Sequence, residues 1–144
     1  MSGPQPGVYT IVSNEHNIPI GAADYDPDVE ERLVISLDPE GAQDWVVEDE
    51  GPGKYRLTVP SANFTYENEN QNVVVRDQRR GLIWKVVKYG DEEYTIERDS
   101  DIRPNAGWTL TSSTPNSPVK LQIIGDFPTR NQLWRFIPYP GVSK

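Results

Sequence analysis

A chain of 144 residues has the size of one domain and is long enough to bury a core without covalent staples. It has no cysteine, which excludes thiol nucleophiles, cysteine-bound zinc, iron–sulfur clusters and a disulfide framework, and its single histidine, His16, excludes sites built on two imidazoles. With 14 Lys plus Arg against 22 Asp plus Glu, the formal charge of −8 is spread along the sequence and repels phosphate backbones, which argues against nucleic acid as a partner.

Thirteen prolines and 11 glycines interrupt the chain at short intervals, and the runs between them are rich in Val, Ile, Thr, Tyr and Trp. No helix of ordinary length fits, so the predicted class is all-β. Strands are predicted at residues 8–12, 33–37, 45–48, 55–59, 73–76, 83–88, 94–98, 108–111, 119–124 and 134–137, with weaker ones at 18–22 and around Phe64. Between the first two, Asn14-Glu15-His16-Asn17 reads as an exposed polar turn. After the second, Asp24-x-Asp26-x-Asp28 followed by Glu30 and Glu31 has the alternating carboxylates that open a calcium loop. Val29 stands where that loop needs Gly and Ile35 where it needs a bidentate Glu, so the segment is read as a solvated acidic loop and no metal or cofactor is expected. His16 has no Gly-x-Ser-x-Gly elbow to serve and there is no glycine-rich phosphate loop, so no catalytic residue is assigned.

The spacing of aromatics repeats. Trp45-x-Val47, Gly51 and Tyr55-x-Leu57 are spaced as Trp84-x-Val86, Gly90 and Tyr94-x-Ile96 are, with ten positions from Trp to Tyr in both. A third half, Trp134-x-Phe136, lies near the C-terminus and its complement, Tyr9-x-Ile11, near the N-terminus. Pairing first and last strands closes a ring of three units, at residues 7–50, 51–89 and 90–139 of a single domain. That is a β-trefoil: twelve strands in three pseudo-repeats, six of them in a barrel and six in three capping hairpins, with no open sheet edge. Trp45, Trp84, Trp134, Tyr9, Tyr55 and Tyr94 are read as core residues around the pseudo-threefold axis, while Trp108 falls outside the repeat and is left as either core or ligand-stacking.

A closed barrel leaves function to its loops. The segment between the last two strands, Phe127-Pro128-Thr129-Arg130-Asn131, carries a basic side chain two positions after a proline, and proline favours extended backbone before and at its own position. An extended, stiff segment is the shape a serine protease cleft accepts, and Arg130 could pair with the carboxylate of a trypsin-like specificity pocket. Arg79-Arg80 and Arg103-Pro104 are read as solvent-facing charge. The longest apolar runs, such as those at residues 33–35 and 73–75, are far short of the ~20 residues of a membrane span, and the opening Met-Ser-Gly-Pro-Gln-Pro lacks a hydrophobic signal region, so the expectation is a cytoplasmic protein.

Gly7-Val8-Tyr9-Thr10-Ile11, the Trp-to-Tyr hairpins, Gly107-Trp108, Ile123-Ile124-Gly125, Phe127-Pro128 and Asn131-Gln132 together resemble the mushroom β-trefoil serine protease inhibitors, the cospin-like family, within the wider ricin-B-like lectin superfamily. The resemblance implies inhibition through a single surface loop. One family loop joins the second and third strands; here Ile20-Gly21-Ala22-Ala23-Asp24-Tyr25 corresponds to it and has no Arg, Lys or Asn at its centre, which makes Ile20, Gly21 and Ala22 a secondary loop. The other joins the last two strands and places Arg130 suitably. Gln43-Asp44-Trp45 and Gln132-Leu133-Trp134 fit the Gln-x-Trp pattern of the lectins, with Leu82-Ile83-Trp84 departing from it. The resemblance implies that this pattern braces the fold, and that a sugar would be met by a cluster such as Asn17, Asp24 and Tyr25. The leading expectation is a non-catalytic serine protease inhibitor, monomeric when free. The alternatives are a carbohydrate-binding lectin and a lectin-like companion subunit of a larger enzyme such as mushroom tyrosinase.

Overall fold

The computed structural model describes residues 4–24, 28, 31–59, 63–76, 81–102 and 104–138. Twelve strands are present among them: β1 (Gly7–Ser13), β2 (Ile20–Ala22), β3 (Glu31–Ser36), β4 (Trp45–Asp49), β5 (Lys54–Val59), β6 (Asn63–Glu67), β7 (Val73–Arg76), β8 (Trp84–Gly90), β9 (Glu93–Arg98), β10 (Ala106–Thr109), β11 (Lys120–Ile123) and β12 (Trp134–Pro138). No helix among the described residues is long and apolar enough to cross a membrane.

Closure follows from the pairings. β1 pairs β4, β4 pairs β5, β5 pairs β8, β8 pairs β9, β9 pairs β12 and β12 returns to β1, with Ile11 opposite Phe136, so six antiparallel strands close a barrel. The other six form three hairpins, β2–β3, β6–β7 and β10–β11, one per repeat. The hairpins meet over one end of the barrel: β3 pairs β7, and single bridges join Ile35 to Pro118 and Asn72 to Lys120. This is the β-trefoil.

Each repeat tryptophan ties the barrel to its own cap. Trp45 Nε1 donates to Ile20 O at 2.9 Å, Trp84 Nε1 to Thr65 Oγ1 at 2.7 Å and Trp134 Nε1 to Trp108 O at 3.0 Å. All four tryptophans are fully buried, and Trp108 is the hub, with ring centroids 5.9 Å from Trp45, 5.3 Å from Trp84 and 6.4 Å from Trp134. The question the sequence left open is thereby settled: Trp108 is core. Edge-to-face packing at such separations adds about 0.5–1.5 kcal/mol per pair beyond the area it buries.

The opposite barrel end holds the tyrosines. Phe136 packs edge-on against Tyr9 at 5.8 Å and Tyr94 at 5.5 Å. The N-terminal segment crosses this end and takes two phenol protons, Tyr55 Oη donating to Pro4 O at 2.8 Å and Tyr9 Oη to Gln5 O at 2.6 Å. Burial is the main cause that raises the Tyr9 and Tyr55 pKa values above that of a free phenol. The fold therefore prefers the neutral phenols: their contribution is complete below the free-phenol pKa and is lost as pH rises through the raised values. Tyr55→Phe is expected to cost about 1 kcal/mol at neutral pH and to flatten the alkaline decline. Thermal melts from pH 7 to pH 11 check this, and an unchanged alkaline slope in the variant would contradict it.

Three local expectations differ from the structure. Ile20, Gly21 and Ala22, expected both in a weak strand at 18–22 and in a secondary loop, form strand β2 and not a loop; all three are buried, Gly21 lying where a Cβ would come within 2.5 Å of Gln43 Oε1. Strand β10 ends at Thr109 rather than running to Thr111, because Leu110 N turns to donate to Asn131 O at 3.0 Å. His16 is half-buried rather than exposed, its Nε2 lying 3.0 Å from Leu110 O, a carbonyl that can only accept, so the proton is on Nε2.

Candidate functional site

The segment between β11 and β12 starts from a fixed stem. Ile124 is buried and its N–H donates to Asn105 O at 2.9 Å, pinning the loop's start to the segment that precedes β10. Gly125, Asp126 and Phe127 then arch into solvent, Phe127 at 81% exposure, and Pro128 returns half-buried. Thr129 keeps extended backbone, with φ −80° and ψ 164°.

At Arg130 the backbone changes. Arg130–Gln132 is a 3₁₀ turn, with Gln132 N–H donating to Thr129 O at 2.9 Å and Leu133 N–H to Arg130 O at 3.1 Å. Extended geometry thus stops one residue short of Arg130, contrary to the expectation drawn from Pro128. The cause is a capping box: Gln132 Oε1 accepts the Thr129 N–H at 3.1 Å, which closes the turn from its C-terminal side. Gln132 is almost fully buried, and its Nε2 reaches Ile123 O at 3.1 Å, Thr109 Oγ1 at 3.3 Å and Gln122 O at 3.4 Å. Asn131 is half-buried, and its carbonyl oxygen accepts Leu110 N–H at 3.0 Å.

The Arg130 side chain remains on the surface at 68% exposure, its Nε donating to Glu15 Oε1 at 3.2 Å and its Nη2 to Asn14 O at 3.4 Å. Phe127, Pro128, Thr129, Arg130 and Asn131 therefore share one short loop with an apolar apex and a basic side chain at its descending end. Sequence reasoning missed Glu15 as the partner of Arg130 and read Gln132 only as part of a fold-bracing Gln-x-Trp pattern, not as the clasp of this loop. Glu15 is 115 residues away and no local pattern announces it, but Thr129-x-x-Gln132 is a capping-box spacing that could have been read.

The other candidates do not converge. Asn17 adopts φ 56° in the turn before β2, and its Oδ1 accepts from Arg135 Nη2. Asp24 is exposed beyond the other end of β2, and Tyr25 lies outside the described residues. In the acidic loop, Asp26, Val29 and Glu30 also lie outside them, as do Arg79, Arg80 and Arg103. Glu31 is committed to structure: the Asn68 amide bond at 3.0 Å and Arg76 Nη2 at 2.9 Å hold its carboxyl below the usual carboxylate range despite some burial. Among the described residues, no three His, Asp or Glu are grouped to hold a metal ion. In the middle repeat, where Leu82 replaces the glutamine of Gln-x-Trp, a cleft of about 460 Å³ opens. The Arg98–Glu67 ion pair, with Nε–Oε1 at 2.9 Å and Nη2–Oε2 at 2.6 Å, is part of its wall.

A closed trefoil whose buried polar groups serve the fold carries its exposed features on loops, where a scaffold of this class presents its function. The chain belongs to the Peptidase inhibitor I66 family, whose model matches residues 3–138. Among solved structures it is similar to a proteinase inhibitor from Coprinopsis cinerea, at 16% identity and a TM-score of 0.79 over 95% of this chain and 100% of that one. It is also similar to the designed threefold-symmetric protein ThreeFoil, at 20% identity and 0.75 over 92% and 99% of the two chains. A ricin B-like lectin from Macrolepiota procera, in complex with lactose, matches at 14% identity and 0.73 over 96% and 100%. At these identities the structural likeness speaks for the fold alone. No curated protein sequence matches significantly.

Proposed function

We propose that the protein inhibits a serine peptidase through the β11–β12 loop, with the Arg130 guanidinium entering a trypsin-like specificity pocket. The observation that supports this reading is an exposed guanidinium on a loop whose two stems are fixed, at Ile124 by Asn105 and at Thr129 by Gln132. A loop already ordered loses little entropy on docking. Freeing Arg130 from Glu15 is also cheap, since an exposed ion pair is worth about 0–1 kcal/mol. The decisive measurement is residual activity of trypsin, chymotrypsin, subtilisin and elastase at micromolar inhibitor. Trypsin is expected to be inhibited most, and full activity of all four would end the proposal.

Phe127 favours a second reading. At 81% exposure it leaves an aromatic ring in water that an apolar pocket would bury, so inhibition of chymotrypsin with trypsin untouched would shift the primary contact to Phe127. Carbohydrate binding, or service as a lectin-like companion subunit, is the alternative that the ricin B-like neighbour supports. Asn17 and Asp24 stand at opposite ends of β2, which weighs against one shared sugar site, and a glycan array with a specific ligand would revive it.

A further inference from the structure

We infer that Gln132 is the positioning residue that lets the β11–β12 loop act as an inhibitor rather than a substrate; the inference rests on the proposed role of that loop. The two glutamines of the Gln-x-Trp pattern do different work. Gln43 commits both amide groups to one residue, Oε1 accepting Ala22 N–H at 2.9 Å and Nε2 donating to Ala22 O at 3.0 Å, which fastens β2 to the segment leading into β4. Gln132 spans a loop instead. Its Nε2 holds the end of β11 through Ile123 O and Gln122 O, while its Oε1 holds Thr129 N–H on the far side of the arch.

Three hydrogen bonds cross the Arg130–Asn131 peptide bond: Thr129 N–H to Gln132 Oε1, Gln132 N–H to Thr129 O and Leu133 N–H to Arg130 O. Hydrolysis by a serine peptidase needs the pocket residue's own carbonyl turned into the oxyanion hole, where two N–H donors stabilise the developing charge. Here that carbonyl oxygen is already the acceptor of Leu133 N–H at 3.1 Å, inside a 3₁₀ turn. The loop offers the guanidinium without offering the bond beside it. Removing the Gln132 amide takes away the side-chain clasp and its anchor on β11 together. The turn then opens, and Arg130–Asn131 becomes an ordinary extended target.

The test follows inhibition and loop integrity together, by titrating trypsin and by mass spectrometry of the mixture over hours. Wild type is expected to inhibit and remain intact. Gln132→Leu is expected to inhibit at least about tenfold less well, the scale of one lost buried hydrogen bond, and to be cut once, after Arg130. Gln43→Leu removes the same motif residue away from the loop; it is expected to lower thermal stability while leaving inhibition and the loop unchanged. Should Gln132→Leu fail to fold, Thr129→Pro carries the test, since φ −80° suits proline and the change deletes the N–H that Gln132 accepts. Inhibition by wild type with equal inhibition and no cutting in the folded loop variants overturns the role of Gln132 alone. Cutting of wild type after Arg130 as fast as the variants overturns it too. A wild type that leaves trypsin fully active overturns the loop reading and this inference with it.

Discussion

Trp108→Ala is expected to be the most damaging single substitution in the core, costing about 3–5 kcal/mol. Its indole touches all three repeat tryptophans, so the cavity would open where the repeats meet rather than within one of them. Backbone support does not refill that space: Trp108 O must still accept Trp134 Nε1, which holds β10 in place while its side chain is gone. Domains of this size carry only about 5–15 kcal/mol in total, so the loss is a large share of what is available. Trp108→Phe is expected to be far milder. The Trp108 Nε1–H is buried and has no hydrogen-bond partner among the described residues, and removing an unsatisfied donor offsets part of the lost packing. Denaturant midpoints of the two variants, with Phe127→Ala as a surface reference, measure the difference. A Trp108→Ala protein as stable as Phe127→Ala would refute the hub.

That hub also marks how far the fold could be read from the residues. Trp45, Trp84 and the half-copy at Trp134 recur with fixed spacing to a tyrosine or its equivalent because each must reach from a barrel strand to a cap, and a recurring task leaves a recurring residue. The corresponding cap positions are Ile20, Thr65 and Trp108, which supply acceptors from a main-chain oxygen, a hydroxyl and a main-chain oxygen in turn. Three different residues meet one geometric need, so no pattern flagged Trp108. Ile20, Gly21 and Ala22 fall in the weak strand expected at 18–22, and only their alignment with a family loop went astray: a three-residue strand buried throughout shows no alternation to mark where strand ends and loop begins. At the candidate site the competing signals were both local. Pro128 suggested extended backbone through Arg130, whereas Thr129 and Gln132 close a turn immediately after it, and the capping box wins because Gln132 is also anchored in the barrel cap. His16 and Glu15 owe their partners to contacts 94 and 115 residues away, which only the closed ring brings near.

Arg130→Ala is expected to weaken trypsin inhibition by about two orders of magnitude or more, while thermal stability stays at the wild-type value. The large effect comes from the enzyme's side: a pocket carboxylate desolvated by the docked loop and left without its cation costs about 3–5 kcal/mol. The small effect on folding comes from this side, because the guanidinium is largely exposed and its pairing with Glu15 is a surface contact. Arg130→Lys is expected to fall between, keeping the charge but losing the two-pronged geometry with which Arg meets a carboxylate. Glu15→Gln moves the balance the other way. It removes the competitor that holds Arg130 in the free protein, so binding is expected to tighten by at most about fivefold, the ceiling set by an exposed pair worth up to about 1 kcal/mol. Inhibition constants for the three variants, measured beside Phe127→Ala, separate the two candidate contact side chains of the loop, Arg130 and Phe127. If Arg130→Ala inhibits as wild type does and Phe127→Ala does not, the primary contact passes to the apex of the loop, and the ion pair with Glu15 is a surface clasp that docking never opens.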